Sequence, residues 1–248
     1  MTDQVVAGVI GGTRFTEFLN AVETISPTTP YGATSAPVAI CDVGGRSVAF
    51  LPRHGVKHEY APHRVNYRAN LWALHDLGVR HVFGPFAAGA LDRSLAVGDI
   101  VIPDQLIDRT FGRDDTFHDD FARGVLHAPF ADPYDNQLRE KLREAGEFTG
   151  TPVRASGTVV VIQGPRLGTR AEGEWYRSQG WHLVNMTQYP EAVLARELGM
   201  SYAGVSLVTD ADSGATAGTG VTQDEVFAAF DRHLDRVRRL LVAAITTM

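Results

Sequence analysis

Cysteine and lysine are scarce in this chain of 248 residues, and long apolar runs are missing. Cys41 is the sole cysteine, which excludes an intramolecular disulfide and is typical of a cytoplasmic protein. No apolar run approaches the length of a membrane span, and no basic region followed by an apolar core opens the chain, so we expect neither a membrane segment nor a signal peptide. The net charge of -6 gives no global field that would attract nucleic acid.

Several motifs that define a reaction class are also missing. Neither the G-x-G-x-x-G fingerprint of dinucleotide binding nor a G-x-x-x-x-G-K-[ST] loop occurs, which argues against an NAD-dependent dehydrogenase. No G-x-S-x-G elbow is present and Cys41 has no adjacent basic residue, so serine or cysteine nucleophilic catalysis is unsupported. His54 and His58 have the spacing of a zinc helix, but Gly55 and Pro62 interrupt the segment and no H-E-x-x-H acid is present, so we expect no metal site.

The remaining composition is ordinary for a soluble globular protein, with 44% hydrophobic and 21% charged residues. Strand patterns alternate with helix patterns, including a glycine-linked hairpin over residues 38–51, a helix over 62–77 and a last helix that begins at a capping box, 222–225. Residues 108–132 are irregular, as in a lid or an interface segment. The pattern predicts one α/β domain, residues 1–248, whose mixed, largely parallel twisted sheet is flanked by helices.

A pair of carboxylates, Asp210 and Asp212, follows the apolar strand predicted over residues 202–208. Residues i and i+2 of an extended segment project to the same side, so both acids can point at one ligand. Two close carboxylates do not both ionise cheaply, so one pKa is expected to rise, and a partly protonated acid can donate a proton to a heterocycle nitrogen. The alternative interpretation is a loop acid that caps the next turn.

Other polar or small-residue turns also follow predicted strands. Because ligands of open α/β sheets bind at the carboxyl ends of the strands, these turns together indicate a site at one edge of the sheet. The turns are Gly11-Gly12-Thr13, Arg53-His54-Gly55, Ala87-Ala88-Gly89, Gly164-Pro165-Arg166 and Asn185-Met186-Thr187. Backbone N–H groups in the first turn can cradle an anion, and Arg53 can bind a phosphate in bidentate fashion, with His54 as a further donor. Each turn also has an ordinary interpretation: a tight turn, a solvated arginine or a loop histidine.

Taken in order, these segments resemble the trimeric purine nucleoside phosphorylase family, specifically its methylthioadenosine phosphorylase branch. The resemblance covers nearly the whole chain, from Gly8 to about Asp212. It implies a partly barrel-like sheet of the nucleoside phosphorylase type and a phosphorolysis, in which a nucleoside and phosphate give a free base and ribose 1-phosphate. The most specific stretches are Arg53–Gly55, Pro62–Asn70, Gly98–Gln105, Gly164–Arg166 and Asn185–Thr187.

The resemblance also implies which residues bind phosphate, ribose and base. Phosphate contacts fall on hydroxyl, guanidinium, imidazole and backbone groups: Thr13, Arg53, His54, Thr187 and the backbone near Ala87. Met186 packs under the ribose. The other ribose- and base-binding positions are Leu167, Asn185, Ala88 and Gly89.

For catalysis, the resemblance implies that Asp210 faces the purine N7 as the general acid and Asp212 faces the 6-amino edge. An Asn at the position of Asp210 would favour a 6-oxopurine, so Asp points to adenine. His127 matches a position where a neighbouring subunit closes the 5′ pocket, and Val226 lines the apolar end of that pocket. The implied assembly is a homotrimer or a hexamer, and the implied co-substrate is inorganic phosphate with no metal or organic cofactor.

The chain departs from the family pattern at positions that bear on the ligand. Arg14 follows Thr13 where the family usually has Gly, and Phe86 stands where Thr or Cys is common, so one phosphate contact is lost. Leu167-Gly168 replaces a Phe-Ser pair, which leaves a roomier and less aromatic base pocket. We therefore expect a phosphorylase of a 5′-substituted adenosine, most simply 5′-methylthioadenosine. The alternatives are a general purine nucleoside or methylthioinosine phosphorylase, and a nucleoside-binding protein with little turnover.

Overall fold

In the computed structural model, which describes residues 5–12, 15, 20–121, 124–211 and 222–248, eleven strands form one mixed sheet. The strands are β1 (Ala7–Gly11), β2 (Ala21–Ile25), β3 (Val38–Asp42), β4 (Ser47–Pro52), β5 (His81–Ala90), β6 (Ile100–Val101), β7 (Gln105–Arg109), β8 (Val153–Arg154), β9 (Thr158–Ile162), β10 (Leu183–Asn185) and β11 (Ser201–Ala211). The helices are α1 (Tyr67–Asp76), α2 (Asn136–Thr149), α3 (Arg170–Ser178), α4 (Gln188–Glu197) and α5 (Gln223–Thr246).

Strand β5 is the centre of the sheet because it pairs with β1, β10 and β11. Parallel pairings join β1 with β4 and β5, β5 with β11, β9 with β7 and β10, and β6 with β8. The other pairings are antiparallel and include the predicted hairpin of β3 and β4. The predicted mixed, largely parallel sheet flanked by helices is confirmed, whereas the domain bounds of 1–248 stay a prediction.

Strand β11 is buried on both faces, which explains why its sequence is a nearly continuous apolar run. Ala203, Val205 and Leu207 belong to the core cluster that contains α2 and α5 side chains. Tyr202 and Val208 face the second cluster, which contains α1 and α4 side chains. The strand therefore holds helices on both sides of the sheet while its carboxyl end leads to the site.

Helix α5 packs along β11 through the stripe predicted from its sequence. Phe230, Val237 and Leu241 are fully buried, and Leu234 packs against the same cluster. The predicted capping box is present, because the Thr222 hydroxyl accepts from the Glu225 backbone N–H and the Glu225 carboxylate accepts from the Thr222 N–H. This cap places the first turn of α5 beside the site.

Three predicted boundaries outside β11 were wrong. The expected turn at 87–90 is the last part of β5, because these small residues pair with β10 and β11 and tertiary pairing overrides local propensity. The expected helix over 62–77 is a 3₁₀ turn, Pro62–Arg64, followed by α1, whose N-cap is Asn66. Strand β7 occupies the start of the irregular segment 108–132 and pairs with β9.

No helix in the described part of the chain combines the length and the apolar character that a membrane crossing requires. 

Candidate active site

A cavity of about 460 Å³ lies at the carboxyl ends of β5, β10 and β11, beside the segment after β4, the loop after β9 and the first turns of α5. It brings together most of the predicted site residues. On the predicted phosphate side these are Arg53, His54, Ala87 and Thr187, and on the predicted ribose, base and 5′ side they are Ala88, Gly89, Leu167, Asn185, Met186, Asp210 and Val226. Their individual roles stay predictions.

Four residues named from the sequence are not among the described residues that line the cavity. Thr13, Arg14 and Asp212 lie outside the described residues. His127 is exposed, its ring contacts Phe121 at 5.7 Å between centroids, and it does not line the cavity.

The guanidinium of Arg53 makes a buried ion pair with Glu191 of α4, and neither side chain has exposed surface. Nε and Nη2 both donate to the Glu191 carboxylate, Nη2 also donates to the Ile10 carbonyl at 2.9 Å, and Nη1 donates to the Pro85 carbonyl at 3.3 Å. The Glu191 carboxylate therefore occupies the Nε–Nη2 edge of the guanidinium, and the expected binding of phosphate by Arg53 stays a prediction. Among the described residues these bonds use four of the five N–H donors of the Arg53 guanidinium, and the remaining donor is on Nη1.

The surroundings of the pair stabilise its charged form. Burial alone would lower the pKa of Arg53, but the Glu191 carboxylate outweighs burial and the pKa is raised. Tyr202 of β11 donates its hydroxyl to Glu191 Oε2 at 2.9 Å. The Phe86 ring lies 4.1 Å from the guanidinium carbon of Arg53, which gives the departure at this position a structural role as a cation–π partner.

The turn after β1 lies close to the remaining donor atom of Arg53. A Cβ at Gly12 would meet Nη1 at 2.5 Å, and a Cβ at Gly11 would meet the Phe15 carbonyl at 2.1 Å, so both positions require glycine. The Arg53 backbone N–H donates to the Gly11 carbonyl at 2.7 Å. Gly12 therefore lies against Nη1.

His54 is buried and neutral. Its Nδ1 lies 2.8 Å from the Tyr60 carbonyl, so Nδ1 carries the hydrogen and donates it there. Burial, reinforced by the adjacent Arg53 charge, lowers the pKa of His54 to about 3. His58, in a left-handed backbone conformation, stacks on it at 4.4 Å between ring centroids. His54 therefore has an unprotonated Nε2, an acceptor, in this ligand-free structure, and its expected role as a further donor to phosphate stays a prediction.

The segment after β10 is fixed by the side chain of Asn185. Its Nδ2 donates to the Ala87 carbonyl at 3.0 Å, and its Oδ1 accepts from the backbone N–H groups of Thr187 and Gln188 at 2.7 and 2.9 Å. Asn185 thereby ties β5 to the start of α4 and positions Met186 and Thr187. The Thr187 side chain makes no capping bond, which leaves its hydroxyl for a ligand, and the extended backbone of Tyr189 separates Thr187 from the regular part of α4.

Asp210 lies within β11 rather than after it, which corrects the predicted strand end. The register with β5 shifts between Val208 and Asp210, where Val208 pairs with Ala88 and Asp210 pairs with Gly89. This bulge reorients the strand so that Asp210, two residues beyond the core residue Val208, lines the cavity. The Thr209 hydroxyl donates to Asp210 Oδ2 at 2.9 Å, a contact that fixes one carboxylate oxygen.

Helix α5 lines another part of the cavity with apolar and polar side chains. Val226 and Phe227 reach it from α5, and the Phe227 ring lies 5.9 Å from the His58 ring. Gln223, at the start of α5, also lines it. Sequence reasoning did not identify His58, Gln223 or Phe227 as lining residues, although the family position of Val226 on the same helix turn was a signal for the last two.

Among the described residues no group of three or more His, Cys, Asp or Glu side chains is placed to hold a metal ion.

Comparison with known proteins gives a consistent family. Residues 6–246 match the model of the phosphorylase superfamily. The chain is 55% identical over 240 residues to an S-methyl-5′-thioadenosine phosphorylase of Mycolicibacterium smegmatis, covering 96% of this chain and 89% of that protein. It is 45% identical over 247 residues to a purine nucleoside phosphorylase of Streptomyces coelicolor, covering 97% of this chain and 88% of that protein. Methylthioadenosine phosphorylase from Schistosoma mansoni in complex with adenine superposes with a TM-score of 0.94 at 36% identity, covering 98% of this chain and 91% of that one.

Loss of Glu191 should be costly because it would leave the Arg53 charge buried without a partner. We expect Glu191→Gln to lower the free energy of unfolding by about 3–5 kcal/mol. Glu147→Gln, which breaks an exposed pair with Arg143, should leave it nearly unchanged. Urea unfolding followed by tryptophan fluorescence measures both, and equal effects of the two substitutions would contradict the assignment of the buried pair.

The neutrality of His54 has a consequence for stability against acid. Its pKa is lowered from 6.5 to about 3, so between these values the unfolded chain binds more protons than the folded one. The stability contributed by the neutral ring is complete above about pH 6.5 and is lost as the pH falls towards 3. We expect the free energy of unfolding of His54→Asn to vary less steeply with pH in this window, and identical slopes in urea titrations would rule the shift out.

Proposed function

The chain belongs to the phosphorylase superfamily, and from this premise we propose that it cleaves 5′-methylthioadenosine with inorganic phosphate. The N-glycosidic bond breaks, and adenine and 5-methylthioribose 1-phosphate are released. The observation that supports the proposal is one cavity that is lined by Arg53, His54, Thr187, Met186 and Asp210. Relatives named S-methyl-5′-thioadenosine phosphorylase support the same reaction.

In this mechanism phosphate is held by directed donors: the turn after β1, the remaining N–H of Arg53 and the Thr187 hydroxyl at the start of α4. Bond cleavage develops positive charge on the ribose, and the adjacent phosphate stabilises it electrostatically. Asp210 donates a proton to N7 of the leaving adenine, as a general acid. Phosphate then bonds to the anomeric carbon. We propose that no metal or organic cofactor takes part.

Two observations favour adenosine as a second substrate. The 5′ wall mixes Val226 and Phe227 with polar His58 and Gln223, which can bond a 5′-hydroxyl as well as contact a methylthio group. The relative from Streptomyces coelicolor is named a purine nucleoside phosphorylase. Both methylthioadenosine and adenosine carry adenine, which Asp210 favours over a 6-oxopurine. We therefore expect inosine to be a weaker substrate than either of them.

We further propose that the enzyme works in the cytoplasm, in purine salvage. The chain has one cysteine, Cys41, and such scarcity of cysteine suits a protein of a reducing compartment.

We propose that the active unit is a homotrimer in which His127 of a neighbouring subunit closes the 5′ end. The segment that carries His127 exposes large apolar side chains, Phe111, Phe121 and Val125, which an interface would cover. Sedimentation velocity should give a species of three times the chain mass of 26.9 kDa. Mixing subunits of His127→Ala with subunits of Asp210→Asn should restore activity, because hybrid trimers contain sites with both native residues; a monomer, or no restoration, would contradict the proposal.

The reaction is tested by incubating the protein with methylthioadenosine, adenosine and inosine, with and without phosphate, and measuring the free base. We expect adenine release only with phosphate, fastest from methylthioadenosine. Base release without phosphate, or none with it, would overturn the proposal.

The role of Asp210 is tested by Asp210→Asn. Loss of the general acid should lower kcat for methylthioadenosine by about 10²–10⁴-fold and relatively favour inosine. Asp76→Asn, at the exposed end of α1, is the matched control and should keep native rates. Unchanged turnover in Asp210→Asn would remove Asp210 from the mechanism.

A further inference from the structure

Arg113 lies in the irregular segment after β7 and binds two walls of the cavity at once without lining it. Nη1 donates to the carbonyls of Met186 and Tyr189 at 2.9 and 2.6 Å. Nη2 donates to the carbonyls of Gln163 and Ile162 at 2.9 and 3.4 Å, and Nε donates to the Gln163 side chain at 3.3 Å. The planar guanidinium thus joins the end of β9 to the segment after β10.

These contacts begin where the sheet stops fixing the distance between the two segments. Strands β9 and β10 are parallel neighbours, and their last register pair is Val161 with Asn185. Beyond that pair the β9 loop runs to Pro165 and Leu167, on the predicted base side, while the β10 segment continues into Met186. Arg113 donates hydrogen bonds to both segments immediately after the pairing of β9 with β10 ends, so it sets the distance between the two segments at the cavity.

The two segments depend on Arg113 to different degrees. The β10 segment is also held by the three hydrogen bonds of Asn185, which keep Thr187 in place. The β9 loop is tied at its far end, where Arg166 pairs with Glu172 of α3. Its near end is bonded by Arg113 and by the Phe111 backbone N–H, which donates to the Gln163 side chain at 3.1 Å. Loss of Arg113 should therefore release the base side and spare the phosphate side.

We propose that Arg113 is a positioning residue that sets the width of the nucleoside-binding part of the cavity. It keeps the β9 loop against the β10 segment, so that the base and ribose meet walls at a fixed spacing. The inference rests on the proposed phosphorolysis for its kinetic consequence, but the loop contact itself does not depend on which reaction occurs.

The kinetic test compares Arg113→Lys and Arg113→Met with Arg139→Lys. Lysine keeps the charge and loses the fork of donors. Arg139 is the matched control because it too is half-buried and donates to backbone carbonyls, those of Pro103 and Ala155, which do not line the cavity. We expect kcat/KM for methylthioadenosine to fall about tenfold in Arg113→Lys and on the order of 10²-fold in Arg113→Met. KM for phosphate should stay within about twofold of native in both, and Arg139→Lys should match the native enzyme.

A loosening of the whole cavity would raise the KM for phosphate together with the KM for the nucleoside, and that result, or an unchanged KM for the nucleoside, would overturn the proposal. Hydrogen exchange of the ligand-free protein gives a readout that needs no activity. We expect the amides of residues 163–168 to exchange faster in Arg113→Lys than in the native protein, while those of 187–197 do not change. The positioning role would be overturned if the amides of residues 163–168 exchanged at the native rate in Arg113→Lys, or exchanged equally fast in Arg139→Lys. This test holds even if the native protein proved to release no base.

Discussion

Arg53 and Glu191 form an ion pair from which water is excluded, since neither side chain has exposed surface. Taking two charges out of water is expensive, and the cost is offset only when both are bonded on all sides. Here the bonds reach β1 and the middle of β5 through carbonyls and β11 through the Tyr202 hydroxyl, while Glu191 itself lies on α4. The elements that surround the cavity are therefore held at one buried point, and a shift in any of them would break a bond to a buried charge.

That pairing also determines the electrostatics of the predicted phosphate position. Glu191 neutralises Arg53, and burial keeps His54 uncharged, so the described residues there contribute oriented dipoles and few net positive charges. An anion held there by the turn after β1 and the Thr187 hydroxyl, as we propose, keeps most of its own negative charge. Such a phosphate stabilises a developing positive charge on the ribose better than one neutralised by a direct bidentate arginine would.

Much of the site could be predicted because its parts follow strands that are easily recognised. Arg53, His54, Asn185–Thr187 and Asp210 were found from turns at strand ends, and the cavity brings them together. The partner of Arg53 could not be found in this way, because Glu191 is 138 residues distant and nothing local marks a buried acid. The bulge at Asp210 and the pairing of residues 87–90 depend on contacts between β5 and β11, which local propensity does not encode. Roles assigned to Thr13, Asp212 and His127 stay predictions.

Three polar residues share one physical function: Glu191 and Arg113, which lie behind the cavity, and Asn185, which lines it. Each forms hydrogen bonds with other groups of the protein. Glu191 accepts from the Arg53 guanidinium, Asn185 accepts from backbone N–H groups at the start of α4, and Arg113 donates to carbonyls of two loops. Because a buried polar group must be bonded, each fixes its partners in one geometry. The ligand then meets only the donors and acceptors that these residues leave uncommitted. The geometry that a ligand meets therefore depends on residues behind the cavity as well as on those that line it.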